Sequence, residues 1–443
     1  MRTGVRLGTA VSKDAGWSRS KCWILFLVLS GTAIQAIDRS SLAVANSVVA
    51  HDLNFSLSKM GLVLSAFGWA YFLGNLPAGL LCDRFGAKRV YGYGAALWSV
   101  ASALTGCATG LTSLLVSRLF VGFGESVNFP AATKVIGERF LPSERGRATG
   151  IFTTGLPVGF ALTPVLTIGL MTRFGSANHP NWRLAFILTG LGSLIWVVLW
   201  LRTFPELKTA RTASGEIQAP ERIHVPMSVL LRFRNTWAMI IIKFTNDYLY
   251  YLFILWLPGY LVYARHFNLH QLAFYATMPF VVAVFARLLF GTLCDKLTTF
   301  GWNPTIVKKV LLISPQVVSL TAVICAAYSE KAVTAAWFLV LGAACQSAAG
   351  VMIHVLPQDL AAKGTAGSMG GIINTAGALA SIVSPVITGL IAQHIGFQTA
   401  LVFAAMAMAT SALFVMFLLT KFAPLDIKFE ELTSRQPGLS PAR

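Results

Sequence analysis

Twelve times along this chain, an apolar run of about twenty residues recurs, the length a helix needs to cross a bilayer. In hydrocarbon every backbone N–H and C=O must be satisfied inside the segment, so each such run is confined to a helix. The first six spans cover roughly 22–46, 58–81, 88–108, 111–134, 147–171 and 184–203. The second six cover roughly 236–263, 270–293, 308–328, 332–353, 366–391 and 397–420. Composition agrees, with 55% hydrophobic residues, 12% charged residues and a mean hydropathy of +0.67. A soluble domain carries about 25% charged residues, so this chain could not cover a wetted surface. Disordered, collagen-like and disulfide-stapled chains are excluded on the same ground. The expected fold is an all-α polytopic membrane protein with 12 transmembrane helices.

Residues 1–21 are basic, an apolar run follows, and Ala43-Val44-Ala45 has the look of a cleavage site. That is the outline of a signal peptide. The apolar region is too long for one, and Asp38-Arg39 interrupts it, so it is read as the first span.

The net charge of +18 would suggest nucleic acid in a soluble protein. Here the basic residues lie between apolar runs and form no basic helix face, so they are topology signals and no nucleic-acid partner is expected. With the N-terminus in the cytoplasm, 26 of the 35 Lys and Arg residues fall in cytoplasmic segments and 5 in external loops. Arg39, Arg118, Lys243 and Arg287 lie inside spans. The bias puts both termini in the cytoplasm of a multi-pass inner (plasma) membrane protein. The organisation reads as a cytoplasmic segment 1–21, a six-helix bundle 22–203, a cytoplasmic linker 204–235, a second bundle 236–421 and a cytoplasmic tail 422–443.

The halves repeat each other weakly. Gly79-Leu80-Leu81-Cys82-Asp83-Arg84 ends the second span, and Gly291-Thr292-Leu293-Cys294-Asp295-Lys296 ends the eighth. Gly150-Ile151-Phe152-Thr153-Thr154 with Thr163-Pro164-Val165 in the fifth span matches Gly371-Ile372-Ile373-Asn374-Thr375 with Ser384-Pro385-Val386 in the eleventh. A duplicated six-helix unit yields two pseudo-symmetric bundles around a central cavity, the geometry of alternating access about a mid-membrane site. One twelve-helix chain suffices for that, so a monomer is expected to function.

None of the six cysteines forms a C-x-x-C pair, and no metal-ligand spacing, H-E-x-x-H or nucleophile elbow is present. No metal, cofactor or enzymatic activity is expected, and no residue is assigned a catalytic role.

The stretch Gly79-Leu80-Leu81-Cys82-Asp83-Arg84-Phe85-Gly86-Ala87-Lys88-Arg89 resembles the signature loop of the major facilitator superfamily. Gly79 lets helices approach, Asp83 can cap a helix or pair with a basic residue, and Gly86 permits a tight turn. The resemblance implies that this loop, with Arg84, Arg89 and the second copy at Asp295, governs the conformational switch. A narrower resemblance rests on Asp38-Arg39, on Arg118-Leu119-Phe120-Val121-Gly122-Phe123-Gly124-Glu125-Ser126-Val127-Asn128-Phe129-Pro130, and on Ser143-Glu144-Arg145-Gly146-Arg147-Ala148. Together these are similar to the anion:cation symporter family within that superfamily, which carries sugar acids, some aromatic carboxylates and other organic anions.

A charge near the bilayer centre costs at least about 2.5–3.5 kcal/mol, so it is rare unless paired or used. Arg118 and Glu125 are two helical turns apart, about 10 Å along one face. Asp38 lies at a depth close to that of Arg118, so an Asp38–Arg118 contact is expected with Glu125 deeper. Asp38 and Arg39 point about 100° apart and cannot both face one partner. A carboxylate whose pairing with Arg changes can exchange protons, and a freed guanidinium can take a substrate carboxylate in bidentate fashion. The resemblance implies that Asp38 and Glu125 are protonation sites, that Arg118 regulates Glu125, and that Arg39 binds substrate carboxylate. It also implies that Tyr71 and Asn374 contact substrate. His354 stands where the family often has a tryptophan, and Thr153, Thr154 and Leu156 stand where it often has a glutamine. Both departures bear on specificity, and His354 is a candidate ligand. Lys243 and Asp247 are spaced for an intrahelical pair, while Asp247, Asn246, Tyr248, Tyr250 and Tyr251 are alternative cavity residues. Gly155, Pro157, Gly159, Pro164 and Pro385 read as bend points.

The expected function is proton-coupled uptake of a small organic anion, foremost a sugar acid (hexonate, hexuronate or aldarate). The alternatives are an aromatic carboxylate symporter and a drug/proton antiporter of the same fold. Span five lacks the extended glycine-proline signature of such antiporters, and paired buried arginines suit anions.

Overall fold

The computed structural model describes residues 17–205, 227–360 and 366–418. Most of the cytoplasmic N-terminal segment, the middle of the 204–235 linker and the 422–443 tail lie outside the described residues. Those described fold as helices joined by short turns. Spans one to three are Arg19–Val44, Leu57–Phe85 and Ala87–Thr105. Span four is broken into Leu111–Glu125 and Asn128–Arg139, and span five into Pro142–Thr153 and Gly155–Arg173. Span six is Trp182–Thr203; span seven is Arg234–Leu255 continued by Leu257–Tyr263. Spans eight to twelve are Leu269–Thr299, Pro304–Tyr328, Ala332–Leu360, Ala366–His394 and Phe397–Phe417.

Among the described residues, 10 helices are long and apolar enough to cross a membrane. Spans three and four fall short by themselves: span three opens on Lys88-Arg89, and span four holds Arg118 and Glu125 and breaks immediately after the latter. They complete the count of twelve by position in the bundle. Helix ends differ from expectation where polar residues continue a helix past the apolar run. Span two runs on through Asp83 to Phe85, and span four reaches Arg139.

Packing repeats six spans later. Span one lies on five, two on four, three on six and three on four; correspondingly, seven lies on eleven, eight on ten, nine on twelve and nine on ten. The halves meet chiefly where two packs on eleven and five on eight, which is again a symmetric pair of contacts.

Small residues set the approach at one end of that interface. A Cβ added to Gly61 would sit 2.6 Å from the Pro385 carbonyl oxygen, and one on Gly389 would sit 2.8 Å from that of Leu57. Ser58 N donates to Gln393 Oε1 at 2.9 Å, and Thr277 Oγ1 donates to the Ala161 carbonyl at 3.0 Å. At the opposite end, a Cβ on Gly79, Gly150, Gly291 or Gly371 would meet nothing within 4 Å. Among the described residues, the two halves are therefore closed at the Leu57/His394 end and parted at the Phe85/Ala366 end.

Spans one, three and six are locked by an aromatic block. Tyr91 lies 5.2 Å from Trp196 and 4.8 Å from Trp200, with Trp98 stacked on Trp196 at 6.5 Å. Trp200 Nε1 donates to the Lys88 carbonyl at 2.8 Å, and Trp196 Nε1 to Ser30 Oγ at 3.0 Å.

Near the chain start, Lys21 Nζ pairs with Glu144 Oε2, which also accepts from Leu141 N. The Lys21 hydrogen bond, and then the Leu141 amide, hold the Glu144 carboxyl below the ordinary carboxylate range. A depressed folded-state value means that this tether is in place above the unfolded value of about 4.3 and is lost as pH falls through the folded one. At pH 7, Glu144→Gln is expected to expose the Lys21 peptide bond to trypsin several-fold faster than in the parent, as followed by gel.

The closed and open ends predict opposite responses to the same substitution. Gly61→Ala is expected to cost about 1–3 kcal/mol because backbone must shift. Gly79→Ala is expected to be neutral or slightly stabilising, since a helix interior favours Ala by about 1 kcal/mol. Thermal unfolding in detergent reads both, and equal responses would mean the two ends are packed alike.

Candidate functional site

Arg39 of span one and Glu125 of span four meet at the centre of the first half. Arg39 Nε donates to Glu125 Oε2 at 3.0 Å, and both residues are buried. The guanidinium lies over the rings of Phe67 and Tyr71 on span two, 4.5 and 4.7 Å from their centroids. Two polar atoms of this pair are left over: Arg39 Nη2 and Glu125 Oε1 are buried without a hydrogen-bond partner.

The break in span four helps place Glu125. It is the last residue of its helix, and the chain turns through Ser126-Val127 before the helix resumes. Gln35, one turn before Arg39, donates to the Glu125 carbonyl at 3.2 Å. Asn128 bonds Gln35 Oε1 in turn, and Tyr91 donates its hydroxyl proton to Asn128 Oδ1 at 2.7 Å. The broken turn is thus tied to span one and to the aromatic block.

Asp38 faces away from Arg39, as the 100° offset requires. Its carboxylate accepts from Ser102 Oγ at 3.1 Å and from Ser193 Oγ at 2.8 Å. The expected Asp38–Arg118 ion pair is not formed. Arg118 Nη2 donates to Thr105 Oγ1 at 2.7 Å instead, and Arg118 Nε has no partner. Two serine hydroxyls occupy the Asp38 oxygens, and Thr105 holds the Arg118 side chain. Arg118 still acts on Asp38 and Glu125 through its charge. Arg39, Arg118, Tyr251 and Ser381 bound a space of about 10 Å³, barely room for one water. That space joins spans one and four to spans seven and eleven on the closed side of the site.

The second half carries its own charges. Lys243 Nζ lies 2.9 Å from Asp247 Oδ2 within span seven, the intrahelical pair that the spacing allows. Asn246 Nδ2 donates to Asp247 Oδ1 at 3.2 Å, and Gly377 of span eleven abuts the pair. Tyr248 is turned to span eleven, its hydroxyl 3.2 Å from Thr388 Oγ1, whereas Tyr250 and Tyr251 are half-buried and face the first half. His354 and Asn374 are exposed on the parted side. The His354 Nδ1–H donates to the Gly350 carbonyl at 2.6 Å, which leaves Nε2 as an acceptor. Arg287 of span eight donates from Nε to Ser347 Oγ at 2.7 Å.

The loop residues lie apart from these charges. Gly86 turns the chain between spans two and three with φ of 84°, a left-handed value suited to glycine. Asp83 pairs with Lys134 of the same half at 3.3 Å. Lys134 Nζ also donates to the Cys82 carbonyl at 2.8 Å. Arg84 lies over Phe85, 5.2 Å from its centroid. Arg89 lines an apolar cavity of about 600 Å³ with Leu81, Phe85, Tyr93, Leu97 and Phe123, between spans two, three and four. The side chain of Asp295 lies outside the described residues.

Sequence reasoning missed Gln35, Asn128, Ser102, Ser193 and Thr105. Gln35 and Asn128 carried a signal: amides inside apolar runs, one turn from Arg39 and Glu125. The hydroxyl residues carried none, because Ser and Thr commonly satisfy their own helix backbone in a membrane.

The chain matches the family profile described as Major Facilitator Superfamily over residues 28–385. It is 30% identical to the probable galactarate/D-glucarate transporter GudP of Bacillus subtilis over 88% of this chain and 90% of that one. It is 30% identical to the probable sulfoacetate transporter SauU of Cupriavidus necator, covering 82% and 85% respectively. The probable L-galactonate transporter of Escherichia coli is 28% identical, covering 92% and 91%. Among solved structures, a bacterial homolog of the human lysosomal transporter Spinster, in an inward-facing and unoccupied conformation, superposes with a TM-score of 0.74 at 17% identity, over 96% of this chain and 100% of that one.

Removing one member of a buried ion pair strands the other, at a cost of about 3–5 kcal/mol. Arg39→Gln is therefore expected to destabilise more than Arg39→Gln combined with Glu125→Gln. A double-mutant cycle on thermal unfolding in detergent measures the coupling. Additive single effects would show that the pair does not interact.

Proposed function

The chain belongs to the Major Facilitator Superfamily, and we propose that it is a proton-coupled symporter that takes up a small organic anion of the sugar-acid type by alternating access. It is a membrane transporter and not an enzyme. The relatives' names, galactarate/D-glucarate, sulfoacetate and L-galactonate transporter, all denote organic anions. The observation that carries the reading is the buried Arg39–Glu125 pair with one nitrogen and one oxygen left unpartnered.

Protonation of Glu125 at Oε1 removes the charge that holds Arg39. Arg stays charged at any relevant pH, so its fork turns to a substrate carboxylate as the next available anion. Proton and anion binding are linked because one frees the partner of the other. Asp38, held by two serines, is the second protonation site, and the Arg118 charge biases both carboxyls. Tyr71, Asn374, His354 and Asp247 offer polar groups to substrate from the two halves.

Alternating access follows from the bundles 22–203 and 236–421 rocking about this centre. With the charge bias placing both termini in the cytoplasm of the inner membrane, the parted end of the structure faces inward. In this state Asp83 is paired within its own half. Gly79, Arg84, Gly86, Arg89 and Asp295 serve the exchange between states, and the protein functions as a monomer.

Glu125→Gln imitates the protonated acid permanently. Purified into liposomes, this variant is expected to retain substrate exchange across the membrane but to lose accumulation driven by an inward proton gradient, falling to within about twofold of equilibrium. A gradient of one pH unit is worth about 1.4 kcal/mol, tenfold in concentration, so the loss is easily read. Undiminished uphill uptake would remove Glu125 from the coupling.

A further inference from the structure

The charges inside the spans do not balance. Away from the helix ends, the described spans hold four cations, Arg39, Arg118, Lys243 and Arg287, against three carboxylates, Asp38, Glu125 and Asp247. Lys243 is matched by Asp247 at 2.9 Å and Arg39 by Glu125 at 3.0 Å, while Arg118 acts on Asp38 and Glu125 through space. Arg287 is different. Its Nε is satisfied by the neutral Ser347 hydroxyl, and no carboxylate lies within ion-pair distance of it among the described side chains.

Arg287 also lies close to the turn of span ten that holds His354. It is half-buried, and its Nη2 passes beside Gly350, where an added Cβ would lie 3.7 Å away. Gly350 is the residue that orients His354, whose Nε2 remains open. Tyr250 of span seven packs edge-on against Phe160 of span five, 6.5 Å between ring centroids, where the two halves meet.

We propose that the cavity is built for a substrate with two negative groups, one held by Arg39 and the other by Arg287 beside His354, so that six-carbon dicarboxylates of the aldarate type are preferred over the corresponding monocarboxylates. The inference rests on the sugar-acid reading above and narrows it. Its physical basis is the cost of a desolvated, unmatched charge. If the halves close on a monoanion held at Arg39, Arg287 is sealed in without a counter-charge. A second carboxylate at the far end of the substrate removes that cost, and it pulls span eight towards span one as the cavity shuts. Specificity then comes as much from penalising the monoanion as from attracting the dianion.

The test uses full-length protein in liposomes with galactarate and galactonate, which share their hydroxyl pattern along the chain and differ in one terminal group. At pH 7 every substrate carboxyl is ionised. The expected result is a half-saturating concentration at least tenfold lower for galactarate. Arg287→Gln is expected to collapse that ratio below about threefold, whereas Arg287→Lys, which keeps the charge, is expected to retain most of it. Equal handling of the two anions by the parent protein, or better uptake of galactonate, would overturn the proposal while leaving the sugar-acid reading intact. Transport of neither anion, nor of glucarate, glucuronate or sulfoacetate, would overturn that reading and this one with it. An unchanged ratio in Arg287→Gln would overturn the assignment of the second pole to Arg287. The comparison in the parent protein does not depend on any variant folding.

Discussion

An ion pair kept from water is the constraint around which the first half is arranged. Arg39 and Glu125 are both costly to bury alone, and their mutual attraction repays that cost only with close geometry and further hydrogen bonds. The surroundings supply these unevenly. Phe67 and Tyr71 give the guanidinium a flat π surface, and Gln35 and Asn128 pin the broken turn that presents Glu125. One nitrogen and one oxygen stay unsatisfied. A structural salt bridge would have closed those valences with serines, as Asp38 does with Ser102 and Ser193. The contrast between the two carboxylates lies in this satisfaction of lone pairs.

Much of the fold was legible because the bilayer is a severe solvent. Apolar length locates the helices. Where a helix breaks was partly legible: span five is interrupted at Thr154, beside the Gly155 and Pro157 read as bend points. In span four, Pro130 offers no N–H to the Ser126 carbonyl, and bonds from Gln35, Thr32 and Tyr91 tie the interrupted turn. The Asp38–Arg118 expectation failed for a related reason. Depth along two helices says which residues share a level, but not which face each presents, and two serines on spans three and six outcompete a guanidinium that Thr105 holds elsewhere. The Lys243–Asp247 pair was legible because a four-residue spacing within one helix decides it locally.

The internal repeat has a structural counterpart more complete than its sequence trace. The four principal pairings of one half recur in the other, as do the two contacts that join the halves, whereas span seven lies on span twelve more closely than span one lies on span six. The chemistry does not follow that symmetry. The first half concentrates carboxylates with arginines, whereas the second sets one internally neutralised pair beside Arg287 and His354. Duplication supplied the frame, and the charges were distributed over it unequally.

The aromatic block of Tyr91, Trp98, Trp196 and Trp200 has an optical consequence. Three indoles packed with centroids 5.4 to 6.5 Å apart lie on spans three and six of a single half. They absorb and emit from surroundings that rocking of the halves leaves in place, so they form a constant background in ultraviolet fluorescence. Trp256 sits otherwise, with its Nε1 on the Pro385 carbonyl of span eleven, at the very seam where Gly61 meets that carbonyl. Opening of the seam changes the surroundings of this indole and leaves those of the block in place, so of these four tryptophans Trp256 is the one whose emission reports the movement.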